Sequence, residues 1–143
     1  ARAGLRQLLT IDAKNAARRR HGAMLSELLA MQGFGGTPAA AEPGGDHVYM
    51  SFAVRCSDRH RAAARLRRMG VDVSPGYMID CASVLDLGGR PGLCPNSQAV
   101  HDSILHLPLY PELRPRDLER IALAVATLNR GLQCDQRPAA GMN

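Results

Sequence analysis

The segment that most restricts the fold runs from Ser103 to Val125, where three prolines separate an apolar run from a long amphipathic stretch. Proline has no backbone N–H donor and a fixed φ, so Pro108 predicts the end of a strand. Pro115 predicts the first turn of a helix, and Pro111 lies in the turn between the two. The segment therefore indicates a strand, a stiff turn and a closing helix. Its prolines need no catalytic role.

Hydrophobic periodicity predicts the elements before this segment. Apolar side chains at three- and four-residue spacing predict a long helix from about Gly4 to Met31. Apolar and polar residues alternate over 48–55, as in a half-buried strand, and Ser57 is the predicted cap of the next helix. The stretch "VDVS" predicts a second short strand, and Pro95 begins a short helix before the third strand, "ILHLPL".

Short, right-handed connections between these elements favour one arrangement. We expect an α+β fold in which helices pack on one face of a small three-stranded sheet, preceded by the long helix. The domain organisation follows the composition. Residues 1–32 form the long N-terminal helix, 33–46 a flexible Gly/Pro linker, 47–130 the α+β domain and 131–143 a disordered tail.

Composition narrows the functional classes. No apolar run approaches the roughly 18 residues of a membrane span, so we expect a soluble, cytoplasmic protein. The net charge is +5, and Lys14 is the one lysine beside 17 arginines. Without an aromatic stacking platform, these arginines do not predict a nucleic-acid partner. The cysteines are widely spaced, so we expect four free thiols, with a zinc site as the alternative.

Several stretches, taken in order, resemble one enzyme family. They are "HVYMSFAVRC", the pair Asp58 and Arg59 at the start of a helix ending in "RRMGV", the Cys-Pro entry to the short helix, and "LHLPLYPELRPRDLERI". Together they resemble the C-terminal small domain of the DegT/DnrJ-type sugar aminotransferases, over about Gly4 to Leu128. The first helix is similar to the interdomain helix of that family.

The resemblance implies a transaminase of fold type I in sugar biosynthesis. Such an enzyme uses pyridoxal phosphate and moves an amino group, typically from glutamate, onto a nucleotide-linked keto-sugar. It also implies a large cofactor-binding domain on the same or a separate chain, a homodimer when complete, and a small domain that helps to close the substrate pocket. The Schiff-base lysine belongs to the large domain, and the surroundings of Lys14 do not match its motif. A stand-alone, non-catalytic binding module with the same fold is the alternative.

Four residues are candidate substrate contacts, and none is a catalytic or metal-binding candidate. Tyr77 follows a Pro-Gly turn, so its phenol could bind a sugar hydroxyl or pack at a rim, and Ser74 could donate to the same ligand. In the family, the start of the first strand lies toward the domain cleft, which adds His47 and Tyr49. We expect the loop from Ser74 to Asp86 to form part of the substrate-facing wall.

Two other histidines carry weaker predictions. His106 lies within an apolar strand and is predicted to be a sheet residue rather than an acid or base. His101 and Asp102 look like half of a catalytic dyad, but neighbouring helical side chains are expected to point apart.

Overall fold

The computed structural model describes residues 2–34, 47–76, 79–81, 88, 90, 92–129 and 134–135. In chain order, the elements are α1 (Arg2–Leu8), α2 (Ile11–Met31), β1 (Phe52–Cys56), α3 (Arg59–Arg68), α4 (Pro95–Ser103), β2 (Ile104–Leu107), α5 (Pro115–Asn129) and β3 (Cys134–Asp135). β1 is the central strand and runs antiparallel to both β2 and β3. The predicted α+β class is confirmed.

The predicted three-stranded sheet is wrong in its second strand. β1 and β2 form the main ladder, in which Phe52 pairs with Leu107 and Arg55 pairs with Ile104. Residues 71–74 form no strand, since only Ser74 joins β2, through an isolated bridge to His106. Val71 and Val73 are nevertheless buried. The alternation of apolar and polar residues in this stretch therefore indicated which side chains are buried, but not that the stretch pairs as a strand. Beyond the two-stranded ladder, β3 adds only two residue pairs, within the tail that we expected to be disordered.

The first strand begins later than its alternation predicts. Tyr49 has φ +46°, in the left-handed region that a tyrosine rarely adopts, and this turn interrupts the extended chain. Tyr49 therefore packs against the core, while Val48 and Met50 on either side are exposed. From Phe52 onward the expected alternation holds, with Phe52, Val54 and Cys56 buried.

The predicted long helix is divided at Leu9 and Thr10. The Thr10 backbone N–H and hydroxyl both lie 3.2 Å from the Gln7 carbonyl oxygen, so the side chain competes for an acceptor near the helix end. The apolar residues around this break, Leu5, Leu8, Leu9 and Ile11, are exposed. Only the second half of α2 reaches the core, through Leu25 and Leu29.

The core lies between one face of the β1–β2 ladder and three helices. The ladder contributes the buried side chains listed above and those of Leu105 and Leu107, while α2, α3 and α5 cover them. Phe34 also belongs to this core and is 3% exposed, although it falls in the predicted linker. Residues 35–46 of that linker lie outside the described residues. The domain boundaries themselves stay a prediction.

The opposite, outer face of the ladder carries Ser51, Ala53, Arg55, Ile104 and His106. α4 has no buried residue and is held by one arginine of this face and one of α3. Arg55 Nε donates to Ser103 Oγ at 3.0 Å, and buried Arg59 donates to the His101 carbonyl oxygen. Both arginines therefore bind the carbonyl end of α4, where the helix dipole favours positive charge.

Two details of the sequence analysis need correction. Asp58, not Ser57, caps α3, since its Oδ1 accepts from the Arg61 N–H at 2.9 Å. Cys81 and Cys94 are free as predicted, but Cys56 is disulfide-bonded. Within the described ranges, no three metal-binding side chains come together, and no helix has the length and hydropathy to cross a membrane.

Candidate functional site

A cavity of about 300 Å³ opens at the end of the ladder where β1 begins and β2 ends. We call it the sheet-end cavity. Its walls are mainly apolar, with a few polar groups, as in many small-molecule sites. It is lined by Met50, Ser51, Asp72, Val73, Ser74, His106, Leu107, Pro108 and Tyr110.

Ser51 and His106 form the polar centre of this cavity. The Ser51 hydroxyl oxygen lies 2.8 Å from His106 Nδ1. The two residues meet because His106 of β2 is paired with Ala53 of β1, and Ser51 lies two residues before Ala53, just ahead of β1. Burial lowers the pKa of His106 below its ordinary value, since a partly desolvated imidazole resists protonation. The pair therefore presents a neutral imidazole and a hydroxyl near neutral pH, which suits a neutral, hydroxyl-bearing ligand.

Ser74 is the predicted site residue that the structure brings to this cavity. Its backbone N–H donates to the His106 carbonyl oxygen at 3.3 Å, and the His106 N–H donates back at 3.2 Å. Both backbone groups of Ser74 are therefore used by the bridge. The residue is exposed, so its hydroxyl can reach a ligand in the cavity.

Of the other three predicted contacts, His47 and Tyr49 are not brought to the cavity, and the structure does not test the third. Tyr77 lies outside the described residues. His47 Nδ1 accepts from the Tyr49 N–H at 3.0 Å, and the two rings are in contact with centroids 4.3 Å apart. The Tyr49 ring also lies against Gly22 of α2, with which a larger residue would collide. Neither His47 nor Tyr49 is among the residues that line the sheet-end cavity.

The predicted wall from Ser74 to Asp86 is anchored at one point that sequence reasoning missed. Asp80 is 6% exposed, and its Oδ1 accepts from the Ser97 hydroxyl of α4 at 3.1 Å. A buried carboxylate needs such donors. Ile79 next to it is 72% exposed, so this part of the loop turns an apolar side chain outward. Residues 77–78 and 82–87 lie outside the described residues.

A second cavity of about 350 Å³ adjoins the first and shares Asp72, Pro108 and Tyr110 with it. Three of its charged groups, Arg114, Asp117 and Arg120, are bound within the fold. Arg114 Nε donates to Asp117 Oδ2 at 2.9 Å, and Arg120 donates to the Gly70 carbonyl oxygen at 2.7 Å. The hydrogen bond from Arg114 also lowers the pKa of Asp117. This cavity is therefore a charged cleft at the surface. The ion pair between Arg114 and Asp117 stabilises the start of α5.

The expectation that His101 and Asp102 point apart is wrong. His101 Nδ1 lies 3.1 Å from Asp102 Oδ1. Asp102 is 62% exposed, so the contact is a solvated pair at the end of α4. Neither residue lines the sheet-end cavity.

Lys14 lies on the surface between the first two helices. Its Nζ donates to Gln7 Oε1 at 2.6 Å, a contact that spans the break between α1 and α2. Lys14 does not line the sheet-end cavity.

Sequence reasoning missed the Ser51–His106 pair. Alternation does place both residues on the polar face of their strands, which was the available signal. The pairing register joins positions about 50 residues apart, and no local pattern specifies it.

A sequence model described as the DegT/DnrJ/EryC1/StrS aminotransferase family matches residues 1–126. A comparison with curated protein sequences gave no match.

Solved structures give three similar folds, each with a TM-score of 0.73. A DegT DnrJ EryC1 StrS aminotransferase from Brucella abortus is 20% identical over 87% of this chain and 33% of its own. The aminotransferase TlmJ from Streptoalloteichus hindustanus is 24% identical over 87% and 34%, respectively. DesV from S. venezuelae is 25% identical over 85% and 33%. The chain thus spans about a third of the length of these solved structures.

Proposed function

The chain belongs to the DegT/DnrJ/EryC1/StrS aminotransferase family, and we propose that it is the C-terminal small domain of an enzyme that transaminates a nucleotide-linked keto-sugar. The observation that carries this proposal is the coverage: the alignment with the Brucella abortus aminotransferase takes in 87% of this chain but 33% of that one. The remaining two-thirds correspond to the proposed large domain, on the same or a separate chain. A homodimer of the complete enzyme is part of the proposal.

Aminotransferases of this family typically use pyridoxal phosphate, but the described residues do not fit that group. A lysine that binds the cofactor covalently needs a desolvated site that lowers its pKa. Lys14 is the one lysine of the sequence, and its ammonium group is hydrogen-bonded to Gln7 at the protein surface. We therefore place the cofactor on the large domain and assign no step of its chemistry to this chain.

The role that we propose for this chain is to close the substrate pocket and position the sugar. The Ser51 and Ser74 hydroxyls offer donors and acceptors to sugar hydroxyls, His106 orients the Ser51 hydroxyl, and the apolar wall excludes water around them. Tyr77 of the adjoining loop is proposed to add a phenol. His47 and Tyr49 remain predicted contacts, although within this chain they pack on each other and on α2.

Kinetics of the complete enzyme test this role. Ser74→Ala and Tyr77→Phe should each lower kcat/KM for the sugar substrate by roughly five-fold, because a hydrogen bond to a neutral group contributes about 1 kcal/mol. The Tm should stay unchanged, since Ser74 is exposed and Tyr77→Phe keeps the aromatic ring. Exposed Ser57, which does not line the cavity, is the control: Ser57→Ala should alter neither quantity. Unaltered kinetics in both site variants would show that this loop is scaffold.

A second measurement separates the enzyme from a stand-alone binding module with the same fold. Glutamate-dependent amination of a nucleotide-linked keto-sugar by the complete enzyme is the expected result. Calorimetric binding of the nucleotide-sugar by a protein that never turns it over, with or without a partner chain, would favour the module.

A further inference from the structure

Tyr110 belongs to the wall that the sheet-end cavity and the second cavity share. It is 49% exposed, whereas Leu109 before it is fully packed in the core. The chain therefore leaves the core at this point and brings Tyr110 to both cavities. What fixes Tyr110 in place also fixes the shape of the candidate site.

The backbone around Tyr110 has few ways to attach itself to the rest of the fold. The Tyr110 carbonyl oxygen closes a turn by accepting the Leu113 N–H at 3.2 Å, with Pro111 at the second position of the turn. Pro108 and Pro111 have no N–H, so two backbone donors are missing from this wall. The prolines stiffen the turn internally but cannot fix its orientation against the helices.

His21 of α2 provides a donor from outside the turn. Its Nδ1 lies 3.2 Å from the Tyr110 carbonyl oxygen, and since a carbonyl oxygen only accepts, Nδ1 donates. His21 lies one helical turn before buried Leu25, on the face of α2 that reaches the core. The two lone pairs of the Tyr110 carbonyl oxygen are thus used by Leu113 and His21.

We propose that His21 is a positioning residue that sets the ligand affinity of the sheet-end cavity through Tyr110. The carbonyl group and the side chain of Tyr110 share one Cα atom, so a displaced carbonyl displaces the side chain as well. Leu109 and Leu113 are buried on either side, but apolar burial is not directional and leaves this orientation open. The inference rests on the proposed function for the identity of the ligand.

Amide hydrogen exchange of residues 109–114 in the complete protein, measured by mass spectrometry, tests the positioning. His21→Leu should speed exchange there about five-fold, because it removes one hydrogen bond to a neutral group. His21→Asn should restore slow exchange, since its amide nitrogen stands where Nδ1 stands. Arg20→Ala, at an exposed neighbour on α2, is the control and should match the wild type. Wild-type exchange in His21→Leu would overturn the proposal.

Steady-state kinetics of the complete enzyme test the effect on the ligand. His21→Leu should raise KM for the sugar substrate about five-fold at unchanged kcat. The reason is that the cofactor lies on the proposed large domain, so this wall should bind substrate and transition state equally. His21→Asn should return KM to the wild-type value. A lower Tm in His21→Leu with an unchanged KM would show a structural bond only, and would overturn the proposal.

Tyr110→Ala provides a second variant, whose folding is not at risk because the side chain is half-exposed. It should raise KM at least as much as His21→Leu, and the double variant should show no further increase, since the two residues act as one unit. Additive effects on KM would contradict the coupling. A wild-type enzyme that aminates no nucleotide-linked keto-sugar would count against the proposed function, whereas exchange in residues 109–114 would still decide the role of His21.

Discussion

At the scale of single residues, Gly22 shows how closely the chain before β1 packs on α2. A Cβ atom at this position would lie 2.8 Å from Cε2 of the Tyr49 ring. The ring cannot retreat easily, because Tyr49 has a left-handed backbone and contacts both His47 and Phe52. The glycine therefore makes room for the one strained residue of this region.

We predict that Gly22→Ala lowers the free energy of unfolding by about 1–2 kcal/mol, because an overpacked contact outweighs the gain in helix propensity. Gly4→Ala in α1 is the matched control, since nothing lies within 4 Å of its added methyl group. That variant should be neutral or slightly stabilised. Urea unfolding measures both, and a stabilised Gly22→Ala protein would show that the Tyr49 ring is free to move.

His106 gives the site a second residue-scale consequence, a pH dependence of stability. Burial lowers its pKa in the folded protein, whereas the unfolded chain has the ordinary value of 6.5. Below pH 6.5 the unfolded state therefore binds more protons than the folded state, and stability falls as the pH is lowered toward the folded pKa.

Urea midpoints between pH 5 and 8 should show this loss in the wild type and a smaller one in His106→Asn, whose amide can still bond to Ser51. Exposed His60 on α3 provides the control, since His60→Asn should retain the wild-type profile. Identical profiles for wild type and His106→Asn would exclude His106 as the cause.

At the scale of elements, α4 depends on arginines from outside the helix. It has no buried residue of its own, and Arg55 and Arg59 bind its last turn. Charge-assisted hydrogen bonds of this kind contribute about 1.5–3 kcal/mol each. α4 also carries Ser97, which binds Asp80 of the predicted substrate-facing loop. Loosening the helix should therefore loosen the loop.

We predict that Arg59→Ala increases amide hydrogen exchange in residues 95–103 while exchange in β1 stays slow. Arg61 lies on α3 like Arg59 but is exposed, so Arg61→Ala should leave exchange in both segments unchanged. Equal protection of α4 in the two variants would mean that its own helix propensity, and not Arg59, keeps it folded.

The elements also show which parts of the fold the sequence could predict. α4, α5 and β2 follow from proline positions and hydrophobic spacing, and α3 from a capping signal, because these signals act within a few residues. The predictions failed where the deciding feature is a single contact or a very short element. The helix is divided beside Thr10, whose hydroxyl binds the Gln7 carbonyl, and β3 has only two residues. Residues 71–74 alternate like a strand but meet β2 at one bridge, which only the packed structure determines. The Ser51–His106 contact depended on the register of β1 and β2 in the same way.

At the scale of the whole molecule, the chain has the fold of a small domain but lacks a lysine suited to the cofactor. We predict that pyridoxal phosphate followed by borohydride reduction gives no stoichiometric, selective label on the isolated chain. Lys14 is hydrogen-bonded to Gln7 and lines no part of the sheet-end cavity, so only weak labelling is expected there. Peptide mapping provides the measurement, and Lys14→Arg shows the background. Full labelling at Lys14 would refute both the prediction and our placement of the cofactor.

The central position of β1 has a consequence during biosynthesis. β1 leaves the ribosome first among the strands, but β2 follows about 50 residues later and β3 later still. At roughly 5–20 residues per second, the wait for β2 alone lasts roughly 3–10 s. Both edges of an apolar strand are unpaired for that time, and unpaired edges invite association with other chains. The nascent chain is therefore the form of this protein that most needs a chaperone.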